Sequence, residues 1–127
     1  LGNDHPNTLV SAHSLAACLR ELGKYEQARQ LAEDTLTRMR RVLGKDPPYT
    51  LHSALGLATT LRKLGQHDAA RQLGEDTLSR RRQALGDDHP HTLASASSLV
   101  LDLRALGHDD QANQLEEWVQ ARRGNFS

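Results

Sequence analysis

Leu1-Gly2-Asn3-Asp4-His5-Pro6-Asn7-Thr8-Leu9 returns as Leu85-Gly86-Asp87-Asp88-His89-Pro90-His91-Thr92-Leu93, and midway stands Leu43-Gly44-Lys45-Asp46-Pro47-Pro48-Tyr49-Thr50-Leu51. Each joint is 42 residues from the next. The register holds away from the joints: Leu22-Gly23, Leu64-Gly65 and Leu106-Gly107 fall halfway between them, and Ala28, Ala70 and Ala112 keep one offset. A fixed period of this length marks stacked supersecondary units, each too short to bury a core alone. Stacks of this kind usually display an extended surface to another protein and rarely enclose a chemical pocket.

Within the first copy, Leu9, Ala12, Leu15, Ala16, Leu19 and Leu22 recur at steps of three and four, the spacing of one apolar helix face. Asp4 and Pro6 stand at its start, where an acidic side chain accepts orphan N–H groups and proline loses no helical hydrogen bond. Gly23, Gly65 and Gly107 suit the residue just past a helix C-terminus, because glycine reaches positive φ at little steric cost. A second helix follows through Tyr25, Ala28, Leu31, Ala32, Thr35, Leu36 and Met39, ending near Val42-Leu43. Small residues at Ala28, Ala70 and Ala112 let the two helices approach closely. No segment alternates apolar and polar residues as a half-buried strand does, so the pattern predicts six antiparallel helices.

Leu15-Ala16, Leu19, Gly23, Tyr25, Ala28 and Leu31, repeated as Leu57-Ala58, Leu61, Gly65, Ala70 and Leu73, resemble the tetratricopeptide signature. The Leu-Gly-x-Asp-His-Pro-x-Thr-Leu joint and the longer period resemble the 42-residue variety of kinesin light chains, related to arrays in bacterial signalling ATPases. The resemblance implies an all-α fold, a right-handed α-solenoid of three antiparallel helix-turn-helix repeats. They would form one block, about 1–42, 43–84 and 85–126, with the last diverging as a C-terminal cap. Family aromatics are replaced by Leu19, Leu61 and Leu103 and by Ala32, Gly74 and Glu116, which predicts aliphatic packing. A HEAT-type array has a similar period, but the Gly-x-Tyr-x-x-Ala turn from Gly23 to Ala28 argues against it.

Sixteen basic and sixteen acidic residues cancel, which leaves no overall electrostatic drive toward nucleic acid, a membrane surface or an acidic polymer. No apolar run approaches the roughly 20 residues needed to cross a bilayer. Cys18, the only cysteine, forms no internal disulfide, so a reducing, cytoplasmic setting is the expectation. Its place beside the apolar face predicts a buried small hydrophobe and not a nucleophile. The chain opens on a repeat joint without a methionine or a signal peptide, which predicts that it is part of a longer polypeptide.

In the family the first helix of each repeat lines a concave groove. The resemblance places groove-facing positions on His13, Ala17 and Arg20, then Leu55, Thr59 and Arg62, then Ser97, Leu101 and Arg104. Arg20, Arg62 and Arg104 recur one per repeat, and a ladder of guanidinium groups suits carboxylates of an extended acidic peptide. The competing reading pairs each arginine with an acid of an adjoining helix, such as Glu33 or Asp34, or Glu75 or Asp76. His13 and Ala17 occupy the places of a lysine and asparagine clamp, so recognition of a chaperone-tail carboxylate is not expected.

The clusters Arg38, Arg40, Arg41 and Arg80, Arg81, Arg82, followed by Arg122 and Arg123, lie at the ends of second helices. There they complement the helix dipole, with Asp34–Arg38 and Asp76–Arg80 spaced as i,i+4 pairs. Few aromatics are available to stack on bases, so nucleic acid is not an expected partner. The seven histidines show no zinc-ligand spacing with Cys or carboxylates, and no Gly-rich phosphate loop is present. The residues therefore predict no catalysis, no metal and no cofactor.

Trp118 replaces Asp34 and Asp76 in a third copy that diverges after Leu115, and Gly124-Asn125 stands near the next joint. The tryptophan is expected to cap the array or to contact another chain. The uncapped first repeat is a candidate for self-association. The leading expectation is a non-catalytic module binding a peptide or partner domain. The alternatives are a regulatory segment of a larger signalling ATPase and a self-assembly element.

Overall fold

A computed structural model describes residues 2–124, which form six α-helices and, among the described residues, no strand. They are α1 (Pro6–Glu21), α2 (Tyr25–Val42), α3 (Pro48–Lys63), α4 (His67–Leu85), α5 (Pro90–Ala105) and α6 (Asp109–Gly124). Leu1 of the first joint and Asn125 of the expected break lie outside the described residues. The helices group into two compact units, one ending at Gly65 after α3 and one beginning at Gln66 before α4.

The halfway glycines follow the ends of α1, α3 and α5. Gly23, Gly65 and Gly107 have φ of 79°, 79° and 80°. Their N–H groups donate to the carbonyls of Arg20, Arg62 and Arg104 at 3.0 to 3.1 Å. The next N–H of Lys24 and His108 reaches Leu19 and Leu103 at 2.9 Å. These bonds satisfy carbonyls that a helix end otherwise leaves orphaned.

In the first unit α2 packs against both α1 and α3. Ala28 is fully buried, as its small size predicts, and Ala32, Leu36 and Met39 extend that buried stripe. In the second unit α5 lies between α4 and α6, with Leu78, Leu93, Ala96, Leu99, Val100, Leu103, Ala112 and Val119 in one core. Burying a leucine of this kind contributes about 1.5–3 kcal/mol.

Three expectations need correction. Asp4 does not cap α1: its carboxylate receives Arg38 and Arg41, both at 2.9 Å. The cap is His5, whose Nδ1 accepts the N–H of Asn7 at 3.1 Å, and His89 does the same for His91 at 3.0 Å. At the third joint Asp88 receives Arg122 at 2.7 Å and Asp87 receives Arg82 at 2.8 Å. The arginines of the second helix reach the acids because the hairpin returns its end to the joint, and the histidine is left to cap. Pro47 stands in the histidine's place before α3, and no side-chain cap forms there.

Cys18 is exposed, not buried. Its register equivalents Thr60 and Asp102 are both 1% exposed, the latter with its carboxylate 3.8 Å from His67 Nδ1. Among the described residues no helix precedes α1 to cover that face. Arg81, expected at an open helix end, is 3% exposed in the position that Met39 fills in the first copy. Its guanidinium donates to the His91 carbonyl and to Ser95 Oγ, both at 2.9 Å. Burial without a carboxylate partner lowers its pKa from the ordinary arginine value. The expected i,i+4 pairs are present, Arg38–Asp34 at 2.9 Å and Arg80–Asp76 at 3.0 Å.

Candidate interaction surface

In the first unit α1 presents His13, Ala17 and Arg20 on one face, at steps of four and three, all half-buried. Leu55, Thr59 and Arg62 follow the same steps on α3 and are also half-buried. Arg20 Nη1 donates to the Gly56 carbonyl at 3.2 Å, which ties the end of α1 to the middle of α3. The approach is close: a Cβ at residue 56 would lie 3.2 Å from that nitrogen, so a larger residue there requires the guanidinium to shift by a few tenths of an ångström. Thr60 Oγ1 shares the same carbonyl, and Thr59 Oγ1 returns to Leu55 O, both at 3.1 Å.

Beside Arg20 sits a nest of rings. His13 meets Tyr49 and His52 edge-on, each with ring centroids 5.2 Å apart, and Tyr49 and His52 are 6.4 Å apart. Burial holds the His13 imidazole below its ordinary pKa of 6.5, and the neighbouring His52 and Arg20 push it further down. The face thus combines partly exposed rings, a guanidinium fixed by a backbone carbonyl, and imidazoles that add positive charge when protonated. Arg20 does not pair with Glu33 or Asp34, which Arg29 and Arg38 occupy. In the second copy Arg71 reaches Glu75 and Arg80 reaches Asp76, both at 3.0 Å.

In the second unit Ser97 is half-buried, while Leu101 and Arg104 are exposed. Arg104 approaches Glu116 of α6 at 4.0 Å, the outer limit of an ion pair. Arg20, Arg62 and Arg104 share one further property: each lies in the last turn of its helix. A cation there complements the negative end of the helix dipole, which is a local reason for the recurrence.

Trp118 is half-buried against the core of the second unit. The guanidinium carbons of Arg122 and Arg82 lie 4.5 and 5.2 Å from its ring centre. The adjoining hollow, lined by Leu78, Arg82, Gln111, Gln114, Leu115 and Trp118, has about 270 Å3. That is room for a side chain, smaller than typical small-molecule pockets.

Tyr49, His52 and Gly56 were not among the expected site residues. Stepping back from Thr59 by three, four and three residues reaches all of them, so the helical period carried the signal. Among the described residues no cluster of three or more His, Cys, Asp or Glu side chains is placed to hold a metal ion. No helix among them is long and apolar enough to cross a membrane.

The family model described as tetratricopeptide repeat matches residues 8–49 and 50–91. No curated protein matches the chain. Among solved structures it is similar to a Podosopora anserina protein described as a kinesin light chain with nearly identical TPR-like repeats. The identity is 29% and the TM-score 0.87, covering 100% of this chain and 60% of that one. A crystal structure of a variant of those repeats matches at 29% identity and TM-score 0.88, over 99% of this chain and 59% of that one. The chain therefore spans about three fifths of the length of the structures it matches. Six helices without a strand among the described residues, glycine turns at one offset and two adjoining matches of 42 residues make this chain a member of the tetratricopeptide repeat family.

Proposed function

We propose that the chain is a non-catalytic interaction module that binds an acidic peptide or partner segment on the exposed faces of its first helices. Tetratricopeptide repeats are in general protein–protein interaction modules, and the solved structures similar to this chain are kinesin-light-chain-like repeats. The observation that carries the finer reading is Arg20, held on the Gly56 carbonyl beside His13, Tyr49 and His52. A guanidinium already positioned loses less freedom on gripping a carboxylate, and the neighbouring rings offer rigid contact area. Arg62 offers the same chemistry on α3 of the first unit, with Ala17, Leu55 and Thr59 beside the charges, and Arg104 offers it on α5 of the second, with Ser97 and Leu101.

Fluorescence anisotropy with a library of labelled extended peptides of graded acidity tests this reading. Acidic members should bind, and Arg62→Glu should weaken them about tenfold or more while the chain remains helical by circular dichroism. Arg20→Glu should weaken them as well, with a stability loss of about 1 kcal/mol from the bond to Gly56. Affinity that is indifferent to peptide charge and to all three arginines would leave them as helix-end charges only.

A further inference from the structure

The rings of His13, Tyr49 and His52 are not products of the repeat. The counterparts of His13 in the other copies are Leu55 and Ser97, those of His52 are Val10 and Ala94, and those of Tyr49 are Asn7 and His91. Gly56, whose carbonyl receives Arg20, has Ser14 and Ser98 in its place. Packing positions such as Ala28, Ala70 and Ala112 keep one residue throughout, so the hairpins do not require this set.

The set is also electrically one-sided. His13 is held below its ordinary pKa by burial, then by His52 and Arg20, and no acid is among the groups that shift it. Arg20 donates to the neutral Gly56 carbonyl and makes no ion pair among the described residues. α3 has no acidic residue, and the only acid of α1 is Glu21. α2 packs on both helices, but its acids are engaged by its own arginines: Glu26 and Glu33 with Arg29, and Asp34 with Arg38. Imidazoles and a guanidinium this close repel one another when protonated, and an anion seated among them removes that repulsion.

The arrangement of donors selects among anions. A guanidinium forks several N–H donors, of which Arg20 gives one to Gly56; each neutral imidazole adds an N–H, and Tyr49 adds a hydroxyl. His13 stands edge-on to Tyr49 and His52, at interplanar angles of 75° and 61°, so the donor-bearing edges point in different directions. A carboxylate is planar and is satisfied by one guanidinium fork. A phosphate monoester brings three acceptor oxygens spread about one phosphorus, and about −1.5 to −2 charge at pH 7, so it takes donors from several directions. Access is open, since Tyr49 and His52 are exposed and His13 and Arg20 half-buried.

We propose, building on the acidic-peptide reading, that His13, Arg20, Tyr49 and His52 form the subsite for one phosphorylated side chain of the bound peptide. Arg20 supplies the fixed charge, the imidazoles supply donors that become cationic as the phosphate seats, and Tyr49 adds its hydroxyl.

A labelled peptide library made in three forms, with phosphoserine, glutamate or serine at one fixed position, tests the subsite by fluorescence anisotropy. The 127-residue chain should bind the phosphoserine form at least tenfold more tightly than the glutamate form. That preference should grow as pH falls from 8 to about 6.5, a range in which the phosphate stays mainly dianionic, because a seated dianion favours the protonated imidazoles. His13→Leu combined with His52→Ala, which install residues of other copies, should cut the preference at least fivefold and flatten its growth with falling pH. Circular dichroism checks that this pair remains helical. His52→Gln alone, a change at an exposed side chain, should shift the preference in the same direction and serves if the pair does not fold.

Equal affinity for the phosphoserine and glutamate forms would overturn the phosphate subsite and leave the acidic-peptide reading standing. A preference unchanged in the histidine variants would overturn it too, because the phosphate then sits elsewhere. Binding to vesicles carrying a phosphoinositide, without a preference for the phosphoserine form, would overturn it in favour of a lipid headgroup. Failure of every peptide form to bind would remove the acidic-peptide reading and the subsite with it.

Discussion

His13 shows how one side chain couples the surface to stability. Its pKa is lowered by burial, so below the ordinary value of 6.5 the unfolded chain takes up a proton that the folded chain refuses. Stability at this site is complete above that value, declines as pH falls beneath it, and levels off below the lowered folded value. His13→Leu, which installs the residue of the second copy, should therefore flatten the fall in denaturant midpoint between pH 7.5 and 5. Asp4 acts in a lower window. The Arg38 guanidinium bonded to it, with Arg41 beside it, holds its pKa below 3.8. Its contribution is present above that value and is lost as pH falls through the lowered one. The caps lie on the same scale: His89→Ala should lower stability by about 0.5–2 kcal/mol, the range for losing a side-chain N-cap, read as a urea midpoint. Sequence alone misplaced this cap because Asp4 and His5 are adjacent and both are acceptors. Which one caps depends on where Arg38 and Arg41 return in space. The burial of Arg81 was hidden for a similar reason, since three consecutive arginines read as a solvated end until the Ser95 hydroxyl is placed against the middle one.

The helices themselves were legible nearly to the residue, because period, glycine turns and proline starts all point the same way. α2 ends at Val42 and α4 at Leu85, both beside the expected Leu-Gly joint. Two glycines make opposite predictions at this scale. Gly107 has φ of 80°, so Gly107→Ala should destabilise by about 1–2 kcal/mol through a left-handed alanine. Gly74 lies inside α4, and a Cβ there meets Leu99 at an ordinary contact distance of 3.5 Å. Gly74→Ala should therefore stabilise by about 0.5–1 kcal/mol, and parallel thermal melts distinguish the two signs. The ring nest was less legible than the helices. Tyr49 and His52 belong to α3 and His13 to α1, and the Arg20 bond that holds the two helices in register ends on a backbone carbonyl, which no side-chain pattern announces.

Across the whole molecule, cohesion is uneven. α1 has two buried residues, Leu9 and Ala16, whereas α3 and α5 have eight each. Local opening follows such differences, so the amides of α1 should exchange with deuterium well before those of α5, measured by mass spectrometry of peptides. Trp118, the only tryptophan, reports α6 against the core of the second unit. In a urea titration its fluorescence should change after the first loss of helical signal, because that first loss comes from α1. The repeat architecture was legible at this scale because 42-residue self-similarity needs no knowledge of contacts. The weakness of α1 was less so, since Ser11 and Leu15 are the same residues as their counterparts in α3 and α5, yet they are exposed where those are buried. The 42-residue period also sets a mechanical quantum. In the first and third copies the end of the second helix returns to the opening joint, where Arg38 meets Asp4 and Arg122 meets Asp88, so such a hairpin holds most of its contour in reserve. Drawn from its ends in an optical trap, the chain should lengthen in increments of at most roughly 140–150 Å of contour, one hairpin at a time.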